Sequence, residues 1–579
     1  MVKKLLSYVG EYKKWVLLAP VLMVVEVLCE IILPRLMAAI VDVGIKYSDM
    51  NAILKNGALM LLLAAIGMVA GVLSAWVATK GGQGFGANLR NAMFQKIQDF
   101  SFADIDRFSS ASLITRTTND VNQIQMVLTM ATRMVVRVIA QLAGALFMAF
   151  AINAELARVL LVAIPVLLVG VGLVMKISNK LFGVMQEKLD NLNNTVQENL
   201  VAIRVVKAFV RAGYEKTKFK TANDELTDTG IAVALRINLV SPIMTVILNG
   251  VVLAVLYLGG SQVMAGTMEY GDLSSFITYI SQILMSVMMV GMMFIMSSRA
   301  MACARRIVEV LDTQPDIQDK PESHNRPLPQ SKGEVEFRDV SFKYLSSGTG
   351  DDVLEHVTFT AKPGQFVAIV GGTGTGKSSL VNLIPRFYDV TSGSVLLDGV
   401  DVRDYPIEEL RSRIGMVLQN NVLFSGTIRE NLLWGRPDAT EEEMVQAAKD
   451  AQAYDFVMNL PDKFDTVLDQ GGTNVSGGQK QRLCIARAML RKPSVLILDD
   501  STSAVDSATE AAIRESFAKN LKGTTVIIIA QRISSVRYAD QILVLDDGTI
   551  VGQGTHEELM ASNEVYQEIY NSQQEGVGE

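Results

Sequence analysis

The stretch Phe366-Val-Ala-Ile-Val370-Gly371-Gly372-Thr373-Gly374-Thr375-Gly376-Lys377-Ser378-Ser379 decides the class of fold. An apolar, strand-prone run enters a glycine-rich turn and leaves through Lys377 into a helical pattern, which is the P-loop arrangement. Glycines let backbone N–H groups wrap a phosphate chain, the lysine meets its terminal charge, and the hydroxyl of Ser378 is placed for Mg²⁺. The expected cofactors are ATP and Mg²⁺. The expected nucleotide contacts are Gly371, Thr373, Gly374, Thr375, Gly376, Lys377, Ser378 and Ser379.

Moving outward, Ser494-Val-Leu-Ile-Leu-Asp499-Asp500 reads as a buried strand ending in two carboxylates. In phosphoryl-transfer sites such a strand end holds Mg²⁺ through its first carboxylate, so Asp499 joins Ser378 as an expected metal ligand. Short strand-like runs alternating with helical segments from about residue 333 to 579 indicate one α/β domain. Before it, residues 313–332 are polar and carry Pro315, Pro321, Pro327 and Pro329, which suits a linker.

The first 312 residues have another character. A membrane helix needs about 20 mostly apolar residues, and six stretches qualify: Val16 to Ile40, Ala58 to Ala78, Met130 to Ile152, Leu156 to Met175, Leu239 to Leu258 and Leu273 to Met296. The whole chain is 49% hydrophobic over 579 residues, high for a soluble protein. Lys80, Arg90, Lys96, Arg107 and Arg116 populate the connection after the second span, and Lys and Arg recur from Lys176 to Arg236, whereas Gly259 to Tyr270 has neither. By the positive-inside bias, the N-terminus, both long connections and the α/β domain are cytoplasmic, in a multi-pass protein of the cell membrane. The long connections show helical spacing, with reversals expected near Phe102 to Asp106 and near Ala212 to Lys216. The fold class is therefore a polytopic α-helical membrane domain, six transmembrane helices with long cytoplasmic extensions, fused to an α/β P-loop domain.

Other classes are disfavoured. With 60 acidic against 53 basic residues the net charge is -7, so nucleic acid is not an expected partner. Cys29, Cys303 and Cys484 are scattered without CxxC spacing, against a disulfide framework or a zinc site. The charged, amphipathic N-terminal residues do not form a cleavable signal.

Asn474-Val-Ser476-Gly477-Gly478-Gln479 resembles the LSGGQ signature of the ATP-binding-cassette family. In that family two cassettes meet head to tail, and the signature of one closes over the ATP on the P-loop of the other. The resemblance implies that Ser476, Gly478 and Gln479 serve a partner's site, that Tyr344 stacks on adenine, that Gln419 senses Mg²⁺ and the membrane domain, and that Asp506, in Ser503-Ala-Val-Asp506, crosses to the facing cassette. Six spans followed by one cassette is the layout of an exporter half. Glu198-Asn-Leu-Val-Ala-Ile-Arg204-Val-Val-Lys207 is similar to an exporter segment near the second cytoplasmic turn.

Two positions depart from that pattern. Asp500 stands where the family carries the glutamate that polarises the attacking water, and its shorter arm withdraws the carboxylate by roughly 1 Å, a displacement that can cost about a hundredfold in rate. Gln531, in Ile529-Ala-Gln531-Arg532, replaces a histidine that contacts the γ-phosphate, and an amide cannot carry positive charge. Val475 replaces the usual leucine of the signature. The pattern resembles the degenerate-site subunit of heterodimeric bacterial multidrug exporters and implies a second, non-identical half as partner. A homodimer, a lipid or peptide translocase, and a regulatory ATP-binding subunit are the alternatives.

For cargo, Glu26 and Glu30 stand four apart on one face of the first span, where an ionisable group costs about 2.5 to 3.5 kcal/mol and must face a cavity or a partner. Met285, Met289, Met292 and Met296 of the sixth span supply a soft, adaptable wall. Together they suggest a small amphipathic substrate, in particular an organic cation.

Overall fold

The computed structural model describes residues 1–325, 327–344, 352–500 and 506–575; within these ranges some side chains, chiefly those of 173–182 and 291–299, lie outside the described residues. The chain divides into two compact units, Met1–Gln98 with Ala111–Thr313, and Asp99–Ser110 with Gln314–Glu579. The segment 99–110 packs with the second of these units.

The main helices up to residue 312 are α1 (Lys13–Ala39), α2 (Met50–Gln98), a short α3 (Phe102–Phe108) of the cassette unit, α4 (Val136–Ile152), α5 (Ala154–Val201), α6 (Ala212–Asn238), α7 (Val240–Met264) and α8 (Tyr270–Asp312). Among the described residues five helical stretches are long and apolar enough to cross a membrane: Gly10–Ile45, Met50–Gln98, Ser110–Ile152, Thr245–Met264 and Tyr270–Val290. The remaining expected span, Leu156 to Met175, lies on α5, part of which falls outside the described residues. The second cytoplasmic reversal needs correction. It occupies Ala202 to Arg211, because the chain is already helical from Ala212, and Val210 turns it with a φ of 55°.

Val27 and Ile31 of α1, Ala145 and Ala149 of α4, Leu160 of α5 and Phe276, Tyr279 and Ile283 of α8 form the core of the membrane unit. Pro34 interrupts the hydrogen bonds of α1. There α8 supplies donors, the Ser275 hydroxyl to the Pro34 carbonyl at 2.6 Å and the Tyr279 hydroxyl to that of Ile31 at 2.6 Å.

Helix α2 contains Gly81-Gly82-Gln83-Gly84-Phe85-Gly86, a run unfavourable for a helix by about 0.5 to 1 kcal/mol per glycine relative to alanine. Packing explains its presence. All four glycines are buried, and added methyl groups would meet Val16, Thr129, the ring of Tyr12 and the amide of Gln125, so the glycines set how closely these neighbours approach.

In the cassette unit, β1 (Val335–Phe342) and β2 (Leu354–Ala361) precede β3 (Phe366–Val370), which leads to α9 (Lys377–Leu383). Strands β4 (Ser392–Leu397), β5 (Val400–Asp401), β6 (Ile414–Val417), β7 (Gly426–Thr427) and β8 (Val467–Leu468) follow, then α10 (Gly477–Leu490), β9 (Val495–Asp499), α11 (Ser507–Asn520), β10 (Thr525–Ile529), β11 (Gln541–Asp546) and β12 (Thr549–Gly554). The strand orders are β2-β1-β4-β5, β12-β11-β3-β10-β9-β6 and β7-β8. In the six-stranded sheet, side chains alternate between two cores, as a period of two requires. Ala368, Leu496, Leu498 and Ile528 face a helical core with Leu483 and Met444, while Val367, Ile497 and Ile527 face a second core with Phe337 and Val357 of the antiparallel sheet.

Gly84→Ala is expected to destabilise the purified protein by about 1 to 3 kcal/mol through overpacking, seen as a lower thermal midpoint in detergent. Adding Tyr12→Ala should recover most of that loss. Simply additive losses would contradict the assigned contact.

Candidate nucleotide site

The parallel sheet assembles the site by register. Ile369 of β3 lies opposite Ile529 of β10, Ile529 opposite Asp499 of β9, and Leu498 opposite Val417 of β6. The P-loop, Asp499 with Asp500, Gln531 and Gln419 therefore leave neighbouring strands at the same carboxyl edge, where open α/β sheets bind ligands.

The loop has the shape its glycines imply. Gly374 and Gly376 take φ values of 87° and 91°, in the left-handed region that favours glycine. At Gly371 an added Cβ would collide with the Leu545 carbonyl, whereas at Gly374 it would meet nothing within 4 Å. The Lys377 ammonium donates to the carbonyl of Gly371 at 3.0 Å and to that of Gly372. Burial pushes its pKa down, against the pull of Asp500 and Asp499. Thr375 closes the loop with a 3.0 Å bond to the Gly372 carbonyl, and Thr373 stands in the same turn.

The Ser378 hydroxyl donates to Asp499 Oδ1 at 3.0 Å, so the structure joins the two expected metal ligands. Burial raises the Asp499 carboxyl above its ordinary range, while Ser378 and Lys377 pull it down. No cluster of three or more His, Cys, Asp or Glu suited to a metal exists among the described residues. A hydroxyl with one carboxylate fits Mg²⁺, which is commonly held by one or two carboxylates together with substrate phosphates.

The two atypical residues touch. Gln531 Nε2 donates to Asp500 Oδ2 at 2.6 Å, and Gln419 also hydrogen-bonds Asp500. Asp500 has a φ of 47°, so the consecutive carboxylates diverge, Asp499 to Ser378 and Asp500 to the two glutamines. Burial raises the Asp500 carboxyl, against Gln531, Gln419 and the Lys377 charge. Gln573, which the sequence did not single out, clamps this loop by donating to the Gln531 carbonyl at 2.7 Å and accepting from the Ile533 N–H at 2.9 Å.

The signature residues occupy the start of α10. Ser476 caps the helix, accepting from the Gln479 N–H at 3.3 Å while Gln479 Oε1 accepts from the Ser476 N–H at 2.9 Å. This capping box satisfies otherwise orphaned donors and leaves Ser476 and Gly477 exposed, with Gly478 half-buried. Val475 packs against the helical core. Asp506 caps α11 by accepting from the Thr509 N–H at 2.9 Å, a bond that holds its carboxyl below the ordinary range. Residues 503–505 lie outside the described residues.

Tyr344 reaches the P-loop helix, its hydroxyl 2.9 Å from Ser379 Oγ. Its ring meets Tyr388 edge to face at 5.1 Å. Tyr388, also missed in the sequence, donates to Asp106 Oδ2 at 2.9 Å, and Phe102 packs on Phe387 at 4.4 Å. Burial, reinforced by Asp106, raises the Tyr388 phenol. Helix α3, capped by Ser101 and Asp104, is thereby joined through Tyr388 to Tyr344.

The two carboxylates of the first span have a partner. Glu26 and Glu30 are not two open carboxylates: Arg137 of α4 donates to Glu26 Oε1 at 2.7 Å and to Glu30 Oε1 and Oε2 at 2.6 and 2.8 Å. An arginine inside an apolar span was the available signal. Met285 and Met289 are exposed on α8, while the side chains of Met292 and Met296 lie outside the described residues.

Residues 16–287 match the family model of the ABC transporter transmembrane region, and residues 354–503 that of the ABC transporter. The chain is 39% identical over 571 residues, 99% of its length and 98% of the relative's, to the uncharacterized ABC transporter ATP-binding protein YfiB of Bacillus subtilis (strain 168). It is 35% identical over 506 residues, 86% of this chain and 82% of the relative, to the ATP-dependent lipid A-core flippase of Syntrophus aciditrophicus (strain SB). Among solved structures, a bacterial Atm1-family ABC exporter with ATP bound superposes with a TM-score of 0.82 at 25% identity, covering 97% of this chain and 99% of that one.

Tyr388→Phe keeps the aromatic packing and removes the bond to Asp106. Loss of one such bond, about 1 kcal/mol, should speed amide hydrogen exchange in helix Phe102–Phe108 about fivefold. Unchanged exchange there would show that the bond does not hold the helix.

Proposed function

The chain belongs to the ABC transporter family, as an exporter half-transporter that couples ATP hydrolysis in a cytoplasmic cassette to transport across the membrane, and on that premise we propose that it works beside a non-identical half as the subunit with the slow ATP site. The observation that carries this reading is the hydrogen bond between Asp500 and Gln531. The two departures from the family pattern form one contact, at the place where the attacking water and the γ-phosphate would be handled.

On this reading the backbone of Gly371 to Gly376 cradles the phosphates, Lys377 meets the terminal phosphate, Tyr344 receives the adenine and Ser379 supports it. Ser378 and Asp499 hold Mg²⁺, whose contribution is to neutralise charge on the transferring phosphoryl group. Gln419 and Gln531 orient Asp500, whose short arm stops short of the water. Ser476, Gly478 and Gln479, exposed or half-buried at the start of α10, present donors to the partner's nucleotide, and Asp506, the cap of α11, reaches toward the facing cassette.

Exposed apolar surface supports a two-chain assembly. At the end of α5 and on the second cytoplasmic reversal, Val201, Phe209 and Val210 are 82, 73 and 86% exposed, and on the cassette Phe424 and Trp434 stack at 4.4 Å in the open. Clustered exposed apolar groups of this kind mark interaction sites. The substrate we propose is an amphipathic compound. The lipid version is favoured by the relatives named as lipid A-core flippases, and the drug-like version by the methionines of α8.

The purified chain should hydrolyse ATP slowly by itself, and Asp500→Glu with Gln531→His should raise the rate about a hundredfold if a displaced base is the cause. An unchanged rate in a variant that still binds ATP would remove these residues as the reason for slow turnover.

Partner choice has its own test. When two differently tagged copies of this chain are expressed in the native host, each should co-purify a distinct half-transporter in preference to the other copy. Recovery of both tags together as the main species would establish the homodimer instead.

A further inference from the structure

Between α1 and α2 the membrane unit has a recess of about 520 Å³, bordered by Glu26 and Glu30 of α1, Gly67, Met68 and Gly71 of α2, and Arg133, which follows in the third apolar stretch. A volume of several hundred Å³ is that of a small-molecule site. Arg137 binds both carboxylates through Glu26 Oε1 and both oxygens of Glu30. Two charged atoms remain. Glu26 Oε2 and Arg133 Nε are both buried without a hydrogen-bond partner, on residues that line the same recess.

Unpaired charged atoms in apolar surroundings are costly, and an apolar occupant would satisfy neither. An organic cation, the ligand suggested by the carboxylates alone, would satisfy Glu26 but confront Arg133 with like charge. An anion has the opposite conflict. A head carrying both an ammonium and a phosphate satisfies the two together. Gly71 makes the room for the Glu26 carboxylate at the edge of the recess, since a Cβ there would lie 2.8 Å from Glu26 Cδ and from Oε2. Beside the opening Met68 and Val72 are 66 and 64% exposed, an apolar surface on which a hydrocarbon chain can lie.

We propose that this recess binds the head of a zwitterionic amphiphile, its ammonium on Glu26 and its phosphate on Arg133. The proposal rests on the reading that the membrane unit handles amphiphiles and names their charge class.

The test measures binding to the purified transporter without ATP, by native mass spectrometry from a neutral detergent. The probes are lysophosphatidylethanolamine, lysophosphatidic acid and an alkylammonium of matched chain length, with free phosphoethanolamine to separate a lipid head from a soluble one. The parent should prefer the zwitterionic amphiphile about tenfold, the worth of one charge-assisted bond, and bind free phosphoethanolamine less. Glu26→Gln should shift preference toward the anionic probe and Arg133→Gln toward the cationic one. No preference in the parent, or shifts in the same direction, would overturn the proposal. Should either charge variant fail to fold, Gly71→Ala decides: its methyl should weaken zwitterion binding, and undiminished binding would overturn the site. Adding ATP in vesicles separates the two readings. Selective binding without ATP-driven movement upholds the recess and refutes amphiphile export.

Discussion

The parallel register of β3, β10, β9 and β6 is the constraint on which the cassette depends. Each strand is a short apolar run, and none holds a nucleotide by itself. Pairing Ile369 with Ile529, Ile529 with Asp499 and Leu498 with Val417 brings to one edge residues that are 160, 30 and 81 positions apart in sequence. A slip of one residue along any of these strands would turn its apolar side chains to the other face. Because both faces are buried against different cores, such a slip would mismatch side chains to both and also displace the carboxylates from the P-loop. Folding and site geometry are therefore enforced by the same packing.

How much of this was readable follows from the range of each interaction. The P-loop, the carboxylates at the end of β9 and the helix-capping signature are local patterns, legible because their chemistry fixes residue types at fixed spacing. The bond between Gln531 and Asp500 needed the register, although both residues stood out as departures. Gln573 and Tyr388 were invisible, since a glutamine in a C-terminal helix and a tyrosine after a P-loop helix carry no pattern of their own. The second cytoplasmic reversal was misplaced because the chain turns at Val210, a β-branched residue rarely found at positive φ, where the sequence carries no turn signal.

In the membrane unit the medium decides. Glu26 and Glu30 stand out in the sequence as ionisable groups in an apolar span, but their partner is 107 or more residues away. Sequence spacing within α1 shows that the two carboxylates share a face and cannot show what faces them. Once Arg137 is present, the triad keeps one negative charge and Arg133 adds a positive one, so the neighbourhood is neutral overall and dipolar locally. That changes the chemistry such a place can recognise, from attraction of a cation to orientation of a molecule with two charges.

On the proposed reading, Asp500 lets a site hold its parts and still be unsuited to rapid turnover. A carboxylate has about four lone-pair positions, so two amide donors do not saturate it, and hydrogen-bond occupancy alone does not prevent it from accepting a proton. Reach is different. Asp500 is held at positive φ, a conformation that aspartate tolerates better than most residues, and its short side chain lies against Gln531, whose own backbone is clamped by Gln573. Moving the carboxylate outward would require breaking this bond or shifting that loop, and neither adds a methylene. Gln531 in turn directs an N–H of its amide toward Asp500 and carries no positive charge. The proposed slow site thus follows from two residues that satisfy one another, each turned toward its neighbour in place of the reacting groups.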